Sequence, residues 1–203
     1  VIDLSRFLNR AVLVSRKEQL ATAFSICGHP FLFSPVIALL AGCRFLGPVE
    51  AVVGLTTVLL FCLLPTSLYI LRKVRVGQWS DLDVSARKDR PQLFVVGLGF
   101  LLITAFVLML TQQPMIYARG CLAAMILISA GWLLNRWLKP SMHAAFAMMT
   151  ASALWLLSAR LAILAMLFAV AVGWSRVALR RHSVADVCVG LALGVLVARL
   201  LLF

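Results

Sequence analysis

At 203 residues, 63% hydrophobic and only 13% charged, with a mean hydropathy of +1.04, the chain carries more apolar surface than a water-soluble fold can hide. Its net charge of +12, from 19 Lys and Arg against 7 Asp and Glu, would raise nucleic acid as a partner in a soluble protein. Here the basic residues lie between apolar runs of span length, where they read as topology signals and contacts to anionic lipid headgroups, so soluble classes are excluded and nucleic acid is not an expected partner.

In chain order, residues 1–20 mix Asp3, Arg6, Arg10, Arg16, Lys17 and Glu18 with Ile2, Leu4, Phe7, Leu8, Val12 and Val14. That pattern predicts an amphipathic interfacial segment rather than a cleavable signal. Apolar runs follow at about 31–46, 51–71, 93–110, 117–135, 142–158, 161–175 and 185–203. They predict an all-α, polytopic transmembrane bundle of six or seven spans, seven on a direct count, forming a single domain over 21–203. The runs 142–158 and 161–175 are parted only by Ala159 and Arg160, and read as a tight helical hairpin. The five cysteines are scattered, with no CxxC pair, and read as small hydrophobes. Trp79, Trp132, Trp137, Trp155 and Trp174 suit an interfacial belt, and Gly190 with Gly194, or Gly97 with Gly99, suit close helix packing. His29, before Pro30, reads as an interfacial histidine.

With seven crossings the N-terminal segment and the polar stretches 72–92, 136–141 and 176–184 share one face of the membrane. That face holds 15 of the 19 Lys and Arg; Arg44, Arg119, Arg160 and Arg199 lie on the other. By the positive-inside rule the polar face is cytoplasmic, in a cell membrane of the bacterial inner-membrane type.

Chemistry is confined by scarcity. Of seven carboxylates only Asp186 lies beyond residue 90, and there are three histidines, His29, His143 and His182. The last two fall in polar stretches that run directly into helices: 81–91, ending in Arg90-Pro91; 139–143, Lys139-Pro140-Ser141-Met142-His143; and 175–186, with Ser175, Arg176, His182 and Asp186. Pro91 suits a first helical turn, Ser141 an N-cap, and Ser183 with Asp186 a capping box. Three helix N-termini, Arg90, Arg176 and one or more of Arg87, Lys88 and Lys139 therefore meet on one face, an arrangement that favours phosphate.

These stretches resemble the type 2 phosphatidic acid phosphatase family, which shares its core with vanadium haloperoxidases and bacterial acid phosphatases. The family pattern S-R-x5-H-x3-D is complete as Ser175, Arg176, His182 and Asp186. Its P-S-G-H is present as Pro140, Ser141 and His143 with Met142 in place of glycine. Its K-x6-R-P keeps Arg90 and Pro91 but has Asp83 at the lysine position. The resemblance implies that His182 is the nucleophile, that Asp186 holds its other ring nitrogen, and that His143 is general acid and then base. It further implies that Arg176, Arg90, Ser141 and Ser175 hold phosphate oxygens, with no metal or cofactor. Arg87, three residues before Arg90, is the expected stand-in for the lysine if the loop is helical, with Lys139 and Lys88 as further cations, and Asp83 is expected to pair with Arg87, Lys88 or Arg90. The implied activity is hydrolysis of a lipid phosphomonoester or diphosphate, of phosphatidic acid or polyprenyl type. Phosphotransfer at the same site and a catalytically degraded lipid-binding protein remain alternatives.

Overall fold

The computed structural model describes residues 15–202, all of whose regular structure is helical. Residues 1–14 of the expected interfacial segment lie outside the described residues. The remainder opens α1 (Arg16–Cys27), started by a reciprocal Ser15–Glu18 capping box. After a 53° bend comes α2 (Pro30–Phe45), whose first turn combines a proline with a His29 N-cap. Next is α3 (Pro48–Arg75), 28 residues long, containing a π-helical turn at Leu59–Leu63 just before Pro65. Proline lacks an N–H to donate, and just beyond it the hydroxyls of Thr66 and Ser67 donate back to the carbonyls of Cys62 and Leu63, each at 2.7 Å. Gly77, at φ +73°, ends α3 and turns the chain into the 78–89 loop.

Four further helices alternate in direction through short turns. They are α4 (Arg90–Leu110), α5 (Met115–Leu134), α6 (Met142–Ala153, prolonged by a 3-10 turn at Leu154–Leu156) and α7 (Ala159–Ala178). The last helix, α8 (Val184–Leu202), packs most extensively on α6.

The helical membrane bundle expected from composition is the observed fold, but the direct count of seven spans is corrected. Among the described residues five helices, α3, α4, α5, α7 and α8, are long and apolar enough to cross, and the bent pair α1–α2 makes a sixth if taken as one span. The run 142–158 falls short: helix and 3-10 turn end at Leu156, and 15 residues at about 1.5 Å each reach only ~22 Å of a core about 30 Å thick. The segment is sheathed by protein, with Ala144, Ala145, Ala147 and Ala151 all at 1% exposure or less.

Small residues set the α6–α8 distance. A Cβ on Gly190 would lie 2.6 Å from the Ser141 carbonyl oxygen, and one on Gly194 would lie 2.4 Å from that of Ala145, so the expected packing role of this pair holds. Gly99, by contrast, has open space around it. Trp132, Trp137, Trp155 and Trp174 are exposed as a lipid-interface belt requires, but Trp79 is 4% exposed. It packs with Ile70 and Val84 under the 78–89 loop, edge-on to Tyr69, because the loop needs an apolar core of its own. Gly190→Ala is expected to push back the Ser141 turn and to destabilise the fold by about 1 kcal/mol or more, whereas Gly99→Ala leaves stability unchanged; thermal unfolding of the two purified variants in detergent checks this.

Candidate active site

Backbone bonds lock the polar stretches together. The Asp186 carboxylate accepts from the Lys139 N–H at 2.9 Å and from the Ser183 N–H at 3.0 Å, while the Asp186 carbonyl accepts from the Ser141 N–H at 3.0 Å. Ser183 Oγ accepts from the Asp186 N–H, which completes the capping box anticipated from the sequence. Arg90, 4% exposed, donates from Nη1 to the Pro140 carbonyl at 3.0 Å. Ser141 is fully buried and N-caps α6 through the Ala144 N–H. The starts of α4, α6 and α8 thus converge, so the anion-binding character expected of each is summed at one place.

The nucleophile expected from the resemblance, His182, lies in the α7–α8 turn. Arg180, at φ +55°, reverses the chain there so that the Arg181 and His182 N–H groups both return to the Arg176 carbonyl, at 3.0 and 3.3 Å. His182 Nδ1 lies 3.0 Å from the Lys139 carbonyl oxygen and 3.9 Å from Asp186 Oδ2. A carbonyl only accepts, so Nδ1 carries the proton and Nε2 keeps its lone pair. The orienting partner is therefore the Lys139 carbonyl, and Asp186 acts at one remove by holding the Lys139 backbone. Burial first, then the positive charges of Arg90, Lys139 and Arg176, push the His182 imidazole down to about 3, against the smaller opposing effect of the Lys139 hydrogen bond. Burial, followed by the Arg90 charge, also lowers the Lys139 ammonium.

Arg176 is 1% exposed, and its Nη1 donates to Ser25 Oγ at 2.6 Å and to Asp83 Oδ2 at 2.9 Å. Asp83 also pairs with Arg181, and its other oxygen lies 3.8 Å from His143 Nε2 and 4.0 Å from His29 Nε2. The expected pairing of Asp83 with Arg87, Lys88 or Arg90 is therefore corrected. The loop turns Asp83 inward to the more deeply buried Arg176, where an opposite charge is needed most. Two side-chain atoms of this cluster, His143 Nε2 and Arg176 Nε, are buried without a hydrogen-bond partner.

The remaining candidates fall outside the cluster. The 78–89 loop is not helical, so Arg87 and Arg90 share no helical face; Arg87 Nε donates to the Asn135 carbonyl at 2.5 Å and Asn135 Nδ2 donates back to the Arg87 carbonyl. Lys139 Nζ donates to the Ser85 carbonyl at 3.1 Å. Both cations clamp the loop. Lys88 is exposed, and the Ser175 hydroxyl donates to its own helix at the Val172 carbonyl. Ser25 and His29 were not among the sequence candidates. His29 is corrected from an interfacial residue to a wall of the site, its ring edge-on to His143 at 4.8 Å. Its proximity to Pro30, which starts α2, was the only local signal.

Donor atoms of His29, Asp83 and His143 lie within 4.8 Å of one another, within reach of a shared metal ion. The donor set does not fit as arranged. His29 Nδ1 accepts from the Phe31 N–H at 3.2 Å, so Nε2, the atom facing Asp83, carries the proton and has no lone pair to offer.

His143, Arg176 and His182 form one end of a cavity of ≈ 340 Å³. It continues between α2, α3, α4, α5 and α6 past Phe94 and Leu101 to Leu55 and Tyr117, almost wholly apolar beyond the charged end.

The PAP2 superfamily model matches residues 50–202, and the chain belongs to that family. No curated protein and no solved structure matches the chain. Family membership together with the long apolar helices points to a membrane phosphatase.

Because the His182 imidazole titrates lower in the folded protein than the 6.5 of a free histidine, the unfolded chain takes up that proton first as pH falls. Its contribution to stability is full above 6.5 and is lost progressively between 6.5 and about 3. His182→Asn is expected to lose less thermal stability than the wild type on acidification across that window, measured by unfolding in detergent.

Proposed function

We propose that this protein is an integral-membrane lipid phosphate phosphatase that acts through a phosphohistidine intermediate. The observation that carries this reading is the continuity of a buried cationic site, with two unsatisfied polar atoms, and an apolar cavity that runs into the bundle. A phosphate accepts hydrogen bonds where Arg176 Nε and His143 Nε2 have none, and a hydrocarbon chain fills the cavity behind it. A water-soluble phosphate ester has no use for such a cavity.

In this reading His182 Nε2 attacks phosphorus, forming the N–P bond as the P–O bond to the lipid breaks. His143 protonates the departing oxygen, then takes a proton from water as that water attacks the phosphohistidine. Arg176, Arg90 and the N–H groups at the start of α6 stabilise the charge that builds on the non-bridging oxygens. The lipid is a phosphomonoester or diphosphate of phosphatidic acid or polyprenyl type.

Purified protein in detergent, with chelator present, is expected to release phosphate from a panel of lipid phosphates and diphosphates. His182→Ala and His143→Ala are each expected to abolish the release by about a hundredfold or more. Failure on every lipid, with turnover appearing only when an alcohol acceptor is added, would replace hydrolysis by phosphotransfer.

We place the site on the cytoplasmic face, supported by the basic residues in the stretches that form it and adjoin it, among them Arg72, Lys73, Arg75, Arg136, Arg180 and Arg181. In a cysteine-free variant carrying only Ser80→Cys, an exposed position of the loop beside the site, an impermeant thiol reagent is expected to react in lysed but not in intact cells. Reaction from outside intact cells would invert the orientation.

A further inference from the structure

Asp83 stands where an acid is least expected, inside a site built to bind an anion. Two simple accounts treat it as a fault: the carboxylate repels phosphate, or it occupies the place of phosphate and must be displaced. The surroundings argue otherwise, because the whole 78–89 loop is organised to hold this carboxylate. Val84, the next residue, is β-branched yet sits at φ +48°, a left-handed conformation such residues avoid unless their surroundings impose it. Its side chain is 2% exposed, packed with Ile70 and Trp79. On its other flank, Asp81 accepts from the Ser85 N–H at 3.2 Å and from the Ser85 hydroxyl at 3.0 Å. Lys139 and Arg87 then pin the loop to the α5–α6 connection. A strained residue buried beside Asp83 and clamps on the following turn make the direction of its side chain a built feature.

That direction does something specific to Arg176. A guanidinium is planar, so holding one nitrogen from two sides fixes the plane and with it the bearing of the others. Ser25 Oγ and Asp83 Oδ2 together hold Nη1, and Nε is left buried and free of any partner. The second Asp83 oxygen lies 3.8 Å from His143 Nε2, the other unpartnered atom. One carboxylate thus stands between the group that would take phosphate charge and the group that would protonate the leaving oxygen.

We propose that Asp83 is a positioning residue of the phosphate site: it orients Arg176 through Nη1 and acts on His143 by its charge across 3.8 Å, and it strengthens phosphate binding instead of opposing it. The inference rests on the phosphatase reading for its chemistry, but its binding half stands apart from turnover. Exposure falls from 38% for the Arg181 side chain through 15% for Asp83 to 1% for Arg176, so the carboxylate also joins the water-facing cation to the buried one. With Arg176, Arg181, His29 and His143 all facing it, Asp83 has no uncompensated charge to turn against a substrate.

The test uses the purified full chain and measures orthophosphate binding by its effect on thermal unfolding, for the wild type and for Asp83→Ala, Asp83→Asn and Asp83→Glu. The expected result is weaker binding by about tenfold or more in Ala and Asn, with partial recovery in Glu, whose carboxylate can still reach Arg176. Tighter or unchanged binding in Ala and Asn would overturn the proposal, since relief of repulsion or of competition works in that direction. If Asp83→Ala does not fold, the isosteric Asp83→Asn decides by the same criterion. Turnover adds a readout that a purely structural role does not move. Loss of the charge beside His143 is expected to harm an alkyl phosphate, whose poor leaving group needs a proton, more than a nitrophenyl phosphate, whose leaving group does not. Equal losses on both substrates would remove His143 from the proposal. Phosphate binding by a wild type that hydrolyses nothing would sink the phosphatase reading while leaving the role of Asp83 to be decided by the binding series; no phosphate binding by the wild type would sink both.

Discussion

A guanidinium that is 1% exposed in the wall of an apolar bundle is the constraint around which the site is arranged. Arg176 sits in the last turn of α7, where the helix dipole favours a cation, but burial still costs more than the dipole returns, so it needs close acceptors. They come from two distant parts of the chain, Ser25 in α1 and Asp83 in the loop before α4. Satisfying one arginine therefore ties together segments that local sequence leaves independent. The bend between α1 and α2 follows from the same demand: it brings Ser25 to Arg176 and, four residues on, His29 to the rim beside His143. Both residues precede the stretch 50–202 that matches the PAP2 superfamily, so the site is completed by residues outside the match.

A second constraint comes from the backbone. The turn carrying Lys139, Pro140 and Ser141 has carbonyls and N–H groups that no helix satisfies, and in a bundle of this polarity they must be met internally. Asp186 meets two from that turn with its carboxylate and its own carbonyl, and Arg90 meets a third. Glycine at 190 lets α8 approach closely enough for this. The shortness of α6 also follows, since it begins inside the protein at a buried N-cap and is followed after a 3-10 turn by α7.

These two constraints explain which features were legible in the sequence. Span-length apolar runs announce the bundle because hydropathy is a local property. Capping at Ser141 and at Ser183 with Asp186 was legible for the same reason. What could not be read was any contact closed over a long separation: Ser25 with Arg176, Asp83 with Arg176, and the Lys139 carbonyl with His182. Backbone atoms are also anonymous in sequence: the resemblance gives Asp186 the role of orienting His182, where geometry gives the direct contact to the Lys139 carbonyl. Arg87 and Lys139 were recognised as cations of the right stretches. Their use as loop clamps depends on a non-helical turn that charge spacing alone does not specify.

The charged end and the apolar cavity are best understood as one object. A cluster holding Arg90, Arg176, Asp83 and Asp186 is costly to keep away from water, and nothing in the stability of a helical bundle calls for it at the end of a cavity lined by Phe94, Leu101 and Leu55. Natural bundles retain such clusters where function requires polarity and apolarity in contact, and the lipid phosphate proposed as substrate has both in the same order. The arrangement also divides the work of recognition. Cationic groups can fix any phosphate head, whereas the cavity walls on α2, α3 and α5 are free to select the chain attached to it. On the proposed reading, selectivity among lipid phosphates follows the shape of those walls, with changes there altering which lipid is bound and leaving the proposed His182 and His143 chemistry as it is.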